Sequence, residues 1–535
     1  MALNSPRSLP LLSSGAESIA ASKDDDVGKT ILDATSHDLV FAVIGHAGAG
    51  ATYVAQALIE DMTSKKQDAR LIRMSALIAE TALKLDPDKW AAVRSSDPLI
   101  RTRTLQNAGN ALRDTKGSAF TAGLAVRRMH ELRSGSDDDK RPIAFVIDSL
   151  KNKSEVDAFR KVYGRSFYLI SVICGPEVRK KRLRMKYKGT SAEDRDDVAS
   201  RDEEEKGKTF GQQVRKTIQL GDFFVNNEAE TPSSGPDLLA QALTRFLQVV
   251  FGTEIVRPTR DERGMYAAWS ASLRSSCLSR QVGAAILSPI GQLIATGTND
   301  VPKFGGGLYE ESKPGAADHR CFRYPKPAED EPFGFCRNDK TKETIYEKII
   351  ESLREGKALA SGFDETKLQR LIEKTPVADL IEFSRAVHAE MDALISLARS
   401  GSAASEGGTL YCTTYPCHSC ARHIVAAGIR DVIYIEPYTK SQAVALHDDT
   451  ILETTVEPGD DAKRVHFRLF TGVAPRRFAA LFEKREEIKK NGRLRLPLEE
   501  DASHQDPVFT KSHVDFEKSI AERVNALETN EGGGL

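Results

Sequence analysis

The chain has 535 residues, 40% hydrophobic and 29% charged, so it can bury a core in more than one domain. Its 76 basic and 77 acidic side chains give a formal net charge of −1, which provides no global attraction to nucleic acid or anionic membranes. No stretch approaches ~18 uninterrupted apolar residues, so we predict no membrane span, and the N-terminal apolar run is too short for a signal peptide. Seven scattered cysteines argue against a disulfide framework and for a reducing, cytoplasmic location.

The N-terminal half alternates apolar runs with helix-length segments. Residues 1–36 are rich in Ser, Ala and Asp, and we predict a disordered leader. This alternation predicts an α/β domain with a parallel sheet over residues 37–253. The predicted strands are 39–44, 143–147, 167–173 and 221–227.

Two neighbouring segments of opposite charge lie inside that domain. Residues 179–188 are mostly basic and residues 193–205 mostly acidic. They are typical of two solvated helices of opposite charge. A mobile lid whose Arg and Lys side chains meet phosphates is the alternative. Both interpretations stay open at this point.

A second α/β pattern occupies residues 254–497. A helix and two short strands come first, and a long insert over 303–383 follows, whose second half has a helical pattern. Helix, strand, helix and strand then alternate between residues 385 and 435. Residues 498–535 are a polar tail with one short helical stretch.

The strongest chemical signal is a pair of short motifs in this second domain. His388-Ala389-Glu390 lies 29 positions before Cys417 in the sequence Pro-Cys-His-Ser-Cys, which ends at Cys420. Each motif begins a predicted helix. Cys417 and Cys420 are three positions apart, so both thiols project from one helical turn. H-x-E followed by P-C-x-x-C is the signature of zinc nucleobase deaminases. One catalytic Zn²⁺ per chain, held by His388, Cys417 and Cys420, is therefore predicted.

The residue types agree with hydrolytic chemistry. Three ligands leave a fourth position for water, whose pKa zinc lowers toward ~7. Glu390 is placed beside the metal without ligating it, as the general acid and base. A structural zinc site is the alternative. His418 and His423 are predicted not to be ligands, and His319, Cys321 and Cys336 in the insert are predicted to be unliganded.

A glycine-rich loop follows the first predicted strand. Residues 45–52, GHAGAGAT, match the P-loop pattern G-x-x-x-x-G-K-[ST] except that Ala51 replaces its lysine. The loop could bind a nucleotide with Mg²⁺, could support phosphoryl transfer despite the missing lysine, or could be a structural tight turn. The candidate phosphate-binding residues are Gly45, Gly48, Gly50, Ala51, Thr52 and Asp148.

Segments of the second domain resemble deoxycytidylate deaminases. The resemblance rests on RSSCLSRQVGAAIL at residues 274–287, IATGTNDVP at 294–302, and TLYCTTYPCHSCARHIVAAGI with the HAE helix. It implies a cytidine-deaminase-like α/β/α fold, an Asn299 that contacts deoxyribose, and a phosphate entrance near the range from Arg274 to Arg280. Further candidates for substrate binding are Tyr438 and Lys440, from IEPYTKS.

The order of the two domains resembles bacterial anti-phage deoxycytidylate deaminases, in which a P-loop kinase-like domain precedes the deaminase. The resemblance implies conversion of dCTP or dCMP to uracil nucleotides, depletion of dCTP during phage replication, and homo-oligomers. It also implies control by the P-loop domain, with a nucleotide or an inhibitory RNA as regulator. Two alternatives stay open: a deaminase acting on cytosine within single-stranded DNA or RNA, and a P-loop switch or scaffold with structural zinc.

Overall fold

The computed structural model describes residues 35–134, 142–205, 210–228, 237–311, 318–323, 334–360, 362–401, 405–438, 441–454, 463–484, 489–494, 496–499 and 508–529. The chain divides into two compact units, one made of Met1–Arg257 with Arg476–Leu535 and one of Pro258–Pro475. Residues 1–34 of the predicted leader lie outside the described residues. Within the described ranges, no helix is both long enough and apolar enough to cross a membrane.

A parallel sheet forms the centre of the first unit. Every residue of Leu39–Gly45 is buried, as expected of a central strand with both faces covered. The strands lie in the order Phe223–Asn226, Phe167–Ile173, Leu39–Gly45, Ile143–Asp148 and Asp68–Arg73. The helices of this unit are Ala51–Ser64, Met74–Leu85, Pro98–Lys116, Phe120–Ser134, Lys153–Tyr163, Pro176–Lys186, Ala192–Glu203, Val214–Ile218, Leu238–Phe251 and Thr510–Thr529.

Residues 476–535 belong to this first unit, whereas the sequence pattern predicts a second domain that extends to residue 497 and a polar tail over residues 498–535. Helix Thr510–Thr529 packs against helix Phe120–Ser134. Ile520 and Val524 are four residues apart and both contact the surface at Gly123, where a Cβ would lie 2.8 Å from Val524 Cγ2. Strand Val508–Phe509 pairs with Thr35–Ser36. These contacts join positions too far apart in the chain for periodicity to reveal.

A mixed sheet forms the centre of the second unit. Its strands lie in the order Ile451–Glu453, Val465–Leu469, Asp431–Glu436, Thr409–Thr414, Gly283–Leu287 and Leu293–Thr298. The first four are parallel, and the last two form an antiparallel hairpin along Thr409–Thr414. The helices are Arg260–Ser272, Arg337–Glu355, Glu365–Ile372, Ala389–Arg399, His418–Ala426 and Ala443–Leu446. The predicted class of two α/β domains is confirmed, with a parallel sheet in the first unit and a mixed sheet in the second.

Helices Arg337–Glu355 and Glu365–Ile372 lie in the second half of the predicted insert, where the sequence predicts helix. Tyr346, Ile350 and Ile372 are buried together in a small apolar cluster between them. The insert thus has its own packing and is more than a connecting loop.

Candidate metal centre, cavity and phosphate loop

His388 is placed by the packing of the helix that it begins. It is the N-cap residue of Ala389–Arg399, which lies on the edge strand Leu293–Thr298. Gly297 permits this close approach, since a Cβ there would lie 2.0 Å from the Ala389 carbonyl oxygen. The Asp392 carboxylate accepts a hydrogen bond of 2.9 Å from the Thr298 N–H. The start of the helix is therefore held in a defined position over the sheet.

The two cysteines come from the neighbouring helix. Cys417 is the N-cap residue of His418–Ala426, and Cys420 lies one turn further along. Nδ1 of His388 is 3.3 Å from Sγ of Cys417 and 3.3 Å from Sγ of Cys420. The three ligand atoms lie within 4.8 Å of one another, and both thiols are buried. The structure thus brings together the residues that the sequence predicts as ligands.

This donor set fits zinc. Two cysteine sulfurs and an imidazole nitrogen are ligands that Zn²⁺ prefers, and a tetrahedral site separates sulfur and nitrogen ligands by about 3.6 Å. The observed separations of 3.3 Å approach that value. His423 Nδ1 lies 2.7 Å from the carbonyl oxygen of Ser419, and neither His423 nor His418 belongs to the cluster.

Hydrogen bonds among the three candidate ligands shift one another's pKa values. The hydrogen bond with Cys417 raises the pKa of His388 to about 9. The hydrogen bond between Cys417 and Cys420 lowers the pKa of Cys417 to about 4. The same hydrogen bond raises the pKa of Cys420 above the usual range of a thiol. These shifts favour a proton on His388 and on Cys420 and the thiolate form of Cys417.

Glu390 lies beside this cluster at the wall of a cavity of about 310 Å³. Its carboxyl group is almost fully buried, with 4% of the residue exposed, and burial raises its pKa. His388 and Cys417 line the same cavity. A carboxylate whose basicity is raised by burial, next to a candidate metal centre, suits proton transfer.

The other predicted substrate-binding residues are only partly brought to the cavity. Asn299, Arg280 and Tyr438 line it. The Asn299 amide accepts from the Val282 N–H at 2.6 Å and donates to the Arg280 carbonyl at 2.9 Å, so both ends of that amide have protein partners. The guanidinium of Arg280 pairs with Glu436 at 3.0 Å.

Arg274 and Lys440 are not among the residues that line this cavity. Arg274 is exposed, and its guanidinium donates to the Thr298 hydroxyl at 2.7 Å. Lys440 lies outside the described residues.

The insert contributes cavity residues that the sequence analysis missed. Asn338, Asp339 and Lys342, on the first turns of helix Arg337–Glu355, line the cavity. The Lys342 ammonium lies 3.1 Å from Asp339 and donates to the Ala378 carbonyl at 3.3 Å. Their spacing of three and four residues indicates one helix face. Nothing in the local sequence shows that this face meets the metal centre.

His319, Cys321 and Cys336 of the insert do not form a ligand cluster among the described residues. Within the described ranges, the only group of three His, Cys, Asp or Glu side chains close enough to share a metal ion is His388, Cys417 and Cys420. Cys336 Sγ lies 3.8 Å from the Ser279 hydroxyl.

The glycine-rich loop joins a buried strand to a helix, which is the position that a phosphate loop occupies. Gly48 and Gly50 adopt positive φ angles of 82° and 87°. Residues 46–50 connect the strand that ends at Gly45 to helix Ala51–Ser64. The Thr52 hydroxyl donates to Asp148 at 3.1 Å, and burial raises the pKa of that carboxyl group. The structure thus brings together the predicted phosphate-binding residues.

The second unit has the sequence features of a known class. The cytidine and deoxycytidylate deaminase zinc-binding region matches residues 258–436. The chain is 31% identical over 177 residues to the deoxycytidylate deaminase of Enterobacteria phage T2, covering 33% of this chain and 79% of the phage enzyme. This chain therefore belongs to the deoxycytidylate deaminase family.

Two further comparisons concern more distant proteins. The UPF0200/UPF0201 protein of Archaeoglobus fulgidus is 26% identical over 128 residues, which cover 24% of this chain and 36% of the archaeal protein. The solved dCMP deaminase of cyanophage S-TIM5 is 18% identical, covers 40% of this chain and 100% of its own, and has a TM-score of 0.21. At that TM-score the likeness supports no functional conclusion.

Proposed function

We propose that this protein hydrolyses the amino group of deoxycytidine nucleotides, converting dCMP or dCTP to the uracil nucleotide and ammonia. The observation that carries the proposal is the position of Glu390, buried at the wall of the cavity that His388 and Cys417 also line. A purely structural zinc site would need neither a buried carboxylate nor an open cavity beside it.

The residues divide the chemistry between them. His388, Cys417 and Cys420 would hold zinc, which when bound supplies the Lewis acidity that makes hydroxide available at neutral pH. Glu390 accepts a proton from the attacking water and delivers it to N3 of the cytosine ring. The oxygen adds to C4, the bond between C4 and the exocyclic nitrogen breaks, and Glu390 carries the second proton to the departing ammonia.

Two cations on the cavity wall support a phosphate-bearing substrate. Arg280 comes from the segment before strand Gly283–Leu287, and Lys342 comes from the insert. Each is already paired with a carboxylate, Glu436 and Asp339 respectively. A phosphate group could replace these carboxylates as partner, because charge-assisted hydrogen bonds to phosphate are strong.

The test is product analysis by chromatography. Wild type and Glu390→Gln would each be incubated with dCMP, dCTP, CTP, cytidine and single-stranded DNA containing cytosine. We expect wild type alone to convert dCMP or dCTP. Conversion only within DNA would indicate a polynucleotide deaminase, and no conversion of any substrate by a zinc-loaded wild type would support a structural zinc site.

The biological role that we propose is depletion of dCTP during phage infection, with the P-loop unit controlling the deaminase. The support is the resemblance of the domain order to anti-phage deoxycytidylate deaminases. The test compares phage plaque numbers and dCTP pools in bacteria that express wild type or Glu390→Gln. Equal plaque numbers with both proteins would contradict this role.

A further inference from the structure

A carboxylate from the acidic helix occupies the glycine-rich loop of the first unit. The backbone N–H of Ala47 donates to Oδ2 of Asp202 at 2.8 Å. Asp202 lies near the end of helix Ala192–Glu203 and is only 3% exposed. The N–H groups of phosphate loops normally hold phosphate oxygens. The backbone N–H of Ala47, which could bind a phosphate oxygen, is thus already hydrogen-bonded to the side chain of Asp202.

A lysine from another part of the chain reaches the same place. The Lys151 ammonium lies 2.8 Å from Oδ1 of Asp202 and donates to the Gly45 carbonyl at 3.2 Å. Lys151 follows strand Ile143–Asp148, which pairs in parallel with Leu39–Gly45. Since the carboxyl ends of neighbouring parallel strands meet at one edge of the sheet, the loop and Lys151 are brought together by the topology. Lys151 therefore places a positive charge beside the loop, where Ala51 provides none.

A second carboxylate of the same helix pairs with two further cations, one of which packs on the loop. Glu203 accepts from Arg179 at 3.2 Å and from Arg215 at 2.8 Å. The Arg179 backbone packs on the loop so closely that a Cβ on Gly48 would lie 2.7 Å from its carbonyl oxygen. Glu203 also lies 3.8 Å from Nδ1 of His46, a buried atom without a hydrogen-bond partner in the described structure. Two carboxylates of one helix thus lie among cations suited to phosphate oxygens.

We propose that this loop is a binding site for a polyphosphate group, in which Lys151 replaces the missing P-loop lysine. Asp202 and Glu203 occupy the site in the state seen here, and a ligand displaces them together with the end of their helix. Nucleoside triphosphates and inorganic polyphosphate share the required chemistry. This proposal does not depend on deaminase activity.

The two interpretations of the charged segments thereby become compatible. Arg179 and Glu203 belong to the basic and acidic segments and pair with each other, as in a solvated helix pair. Their pairing takes place over the phosphate loop, as in a lid. Because the ligand binds the form in which Asp202 is displaced, its apparent affinity is the intrinsic affinity multiplied by the fraction of molecules in that open form.

The test is calorimetric titration of the full chain with Mg²⁺-ATP and, separately, with Mg²⁺-tripolyphosphate. Asp202→Asn keeps the shape and the acceptor for Ala47 but removes the charge, so we expect it to bind roughly tenfold more tightly than wild type. Adding Lys151→Ala to this variant should remove most of that gain, and Lys151→Arg should keep it. Matched controls are Asp197→Asn, on the exposed side of the same helix, and Lys153→Ala, near Lys151. Both should bind as wild type does.

Each outcome bears on the proposal. Tighter binding of both ligands to Asp202→Asn supports a polyphosphate site, and tighter binding of ATP alone supports the same site with a contact to the base. Equal affinity of wild type and Asp202→Asn would overturn the displacement. A gain that survives Lys151→Ala would overturn the role of the lysine. Absence of binding in every variant, with unchanged circular dichroism and melting temperature, would overturn the site itself.

Discussion

Nδ1 of His388 lies 3.3 Å from Sγ of Cys417, although 29 positions separate the two residues in the chain. Each residue is the N-cap of its helix, and the two helices lie against the same sheet. The metal centre is therefore formed by two helix starts whose separation is set by packing on the strands. Its properties can be tested by changing one ligand at a time.

We expect Cys420→Ser to lose the bound zinc, because a serine hydroxyl is a poor substitute for a thiolate ligand. Zinc content, measured by mass spectrometry of the purified protein, should fall from about one ion per chain to a small fraction of that. Cys277→Ser is the matched control, since Cys277 lines the cavity but lies outside the ligand cluster. Equal loss of zinc from both variants would contradict the ligand assignment.

Zinc affinity should rise with pH across the neutral range. In the metal-free protein the pKa of His388 is about 9 and that of Cys417 about 4, and Cys420 is a thiol. Between these values zinc must displace about two protons, one from His388 and one from Cys420, so log affinity should increase by about two per pH unit. Chelator competition at several pH values measures the slope. A slope near zero would mean that the ligands are already deprotonated before zinc binds.

The proton-transfer role of Glu390 predicts a loss of activity without loss of metal. Glu390→Gln keeps the size of the side chain but cannot accept a proton, so kcat should fall by roughly 10²- to 10⁴-fold. Zinc content and melting temperature should stay near those of wild type, because Glu390 is not a predicted ligand. Loss of zinc from this variant would show instead that Glu390 takes part in metal binding.

Lys342 should affect the recognition of phosphate but not the chemical step. We expect Lys342→Ala to raise KM for dCMP roughly tenfold and to leave kcat and the kinetics with deoxycytidine nearly unchanged. Lys340→Ala is the matched control, because that exposed lysine lies two residues earlier on the same helix and pairs with Glu343. An equal effect on dCMP and deoxycytidine would assign Lys342 to cavity structure and not to phosphate.

The docking of the C-terminal helix should contribute measurably to stability. Glu517 is fully buried, pairs with Arg133, and accepts a hydrogen bond of 2.8 Å from the Tyr163 hydroxyl. Glu517→Ala leaves a largely buried guanidinium without this partner, and we expect the free energy of unfolding to fall by about 3 kcal/mol. Urea unfolding measures the change, with the exposed Glu522 replaced by alanine as control. An effect no larger than that of the control would mean that this helix is only loosely attached.

Short motifs made much of the candidate site predictable. The spacing within His388-Ala389-Glu390 and within Cys417 to Cys420 lies inside single helical turns, so the sequence indicated both halves of the site. Continuous apolar runs likewise indicated the central strands, including Leu39–Gly45. The assignment of roles to Glu390 and to the zinc ligands stays a prediction until the variants above are measured.

Other relationships depend on surfaces that meet only after folding. Lys342 reaches the cavity because the insert packs over it, Lys151 meets Asp202 because two parallel strands end at one edge, and helix Thr510–Thr529 returns to the first unit. None of these residues carries a local signal, since a single lysine or aspartate on a helix looks like ordinary solvated surface. Residue type and short spacing were enough to indicate which residues could bind a metal or a phosphate, because such chemistry depends on local pattern. Which distant charges lie beside those residues depends on how apolar surfaces hundreds of residues apart are buried together, and this became visible in the folded protein.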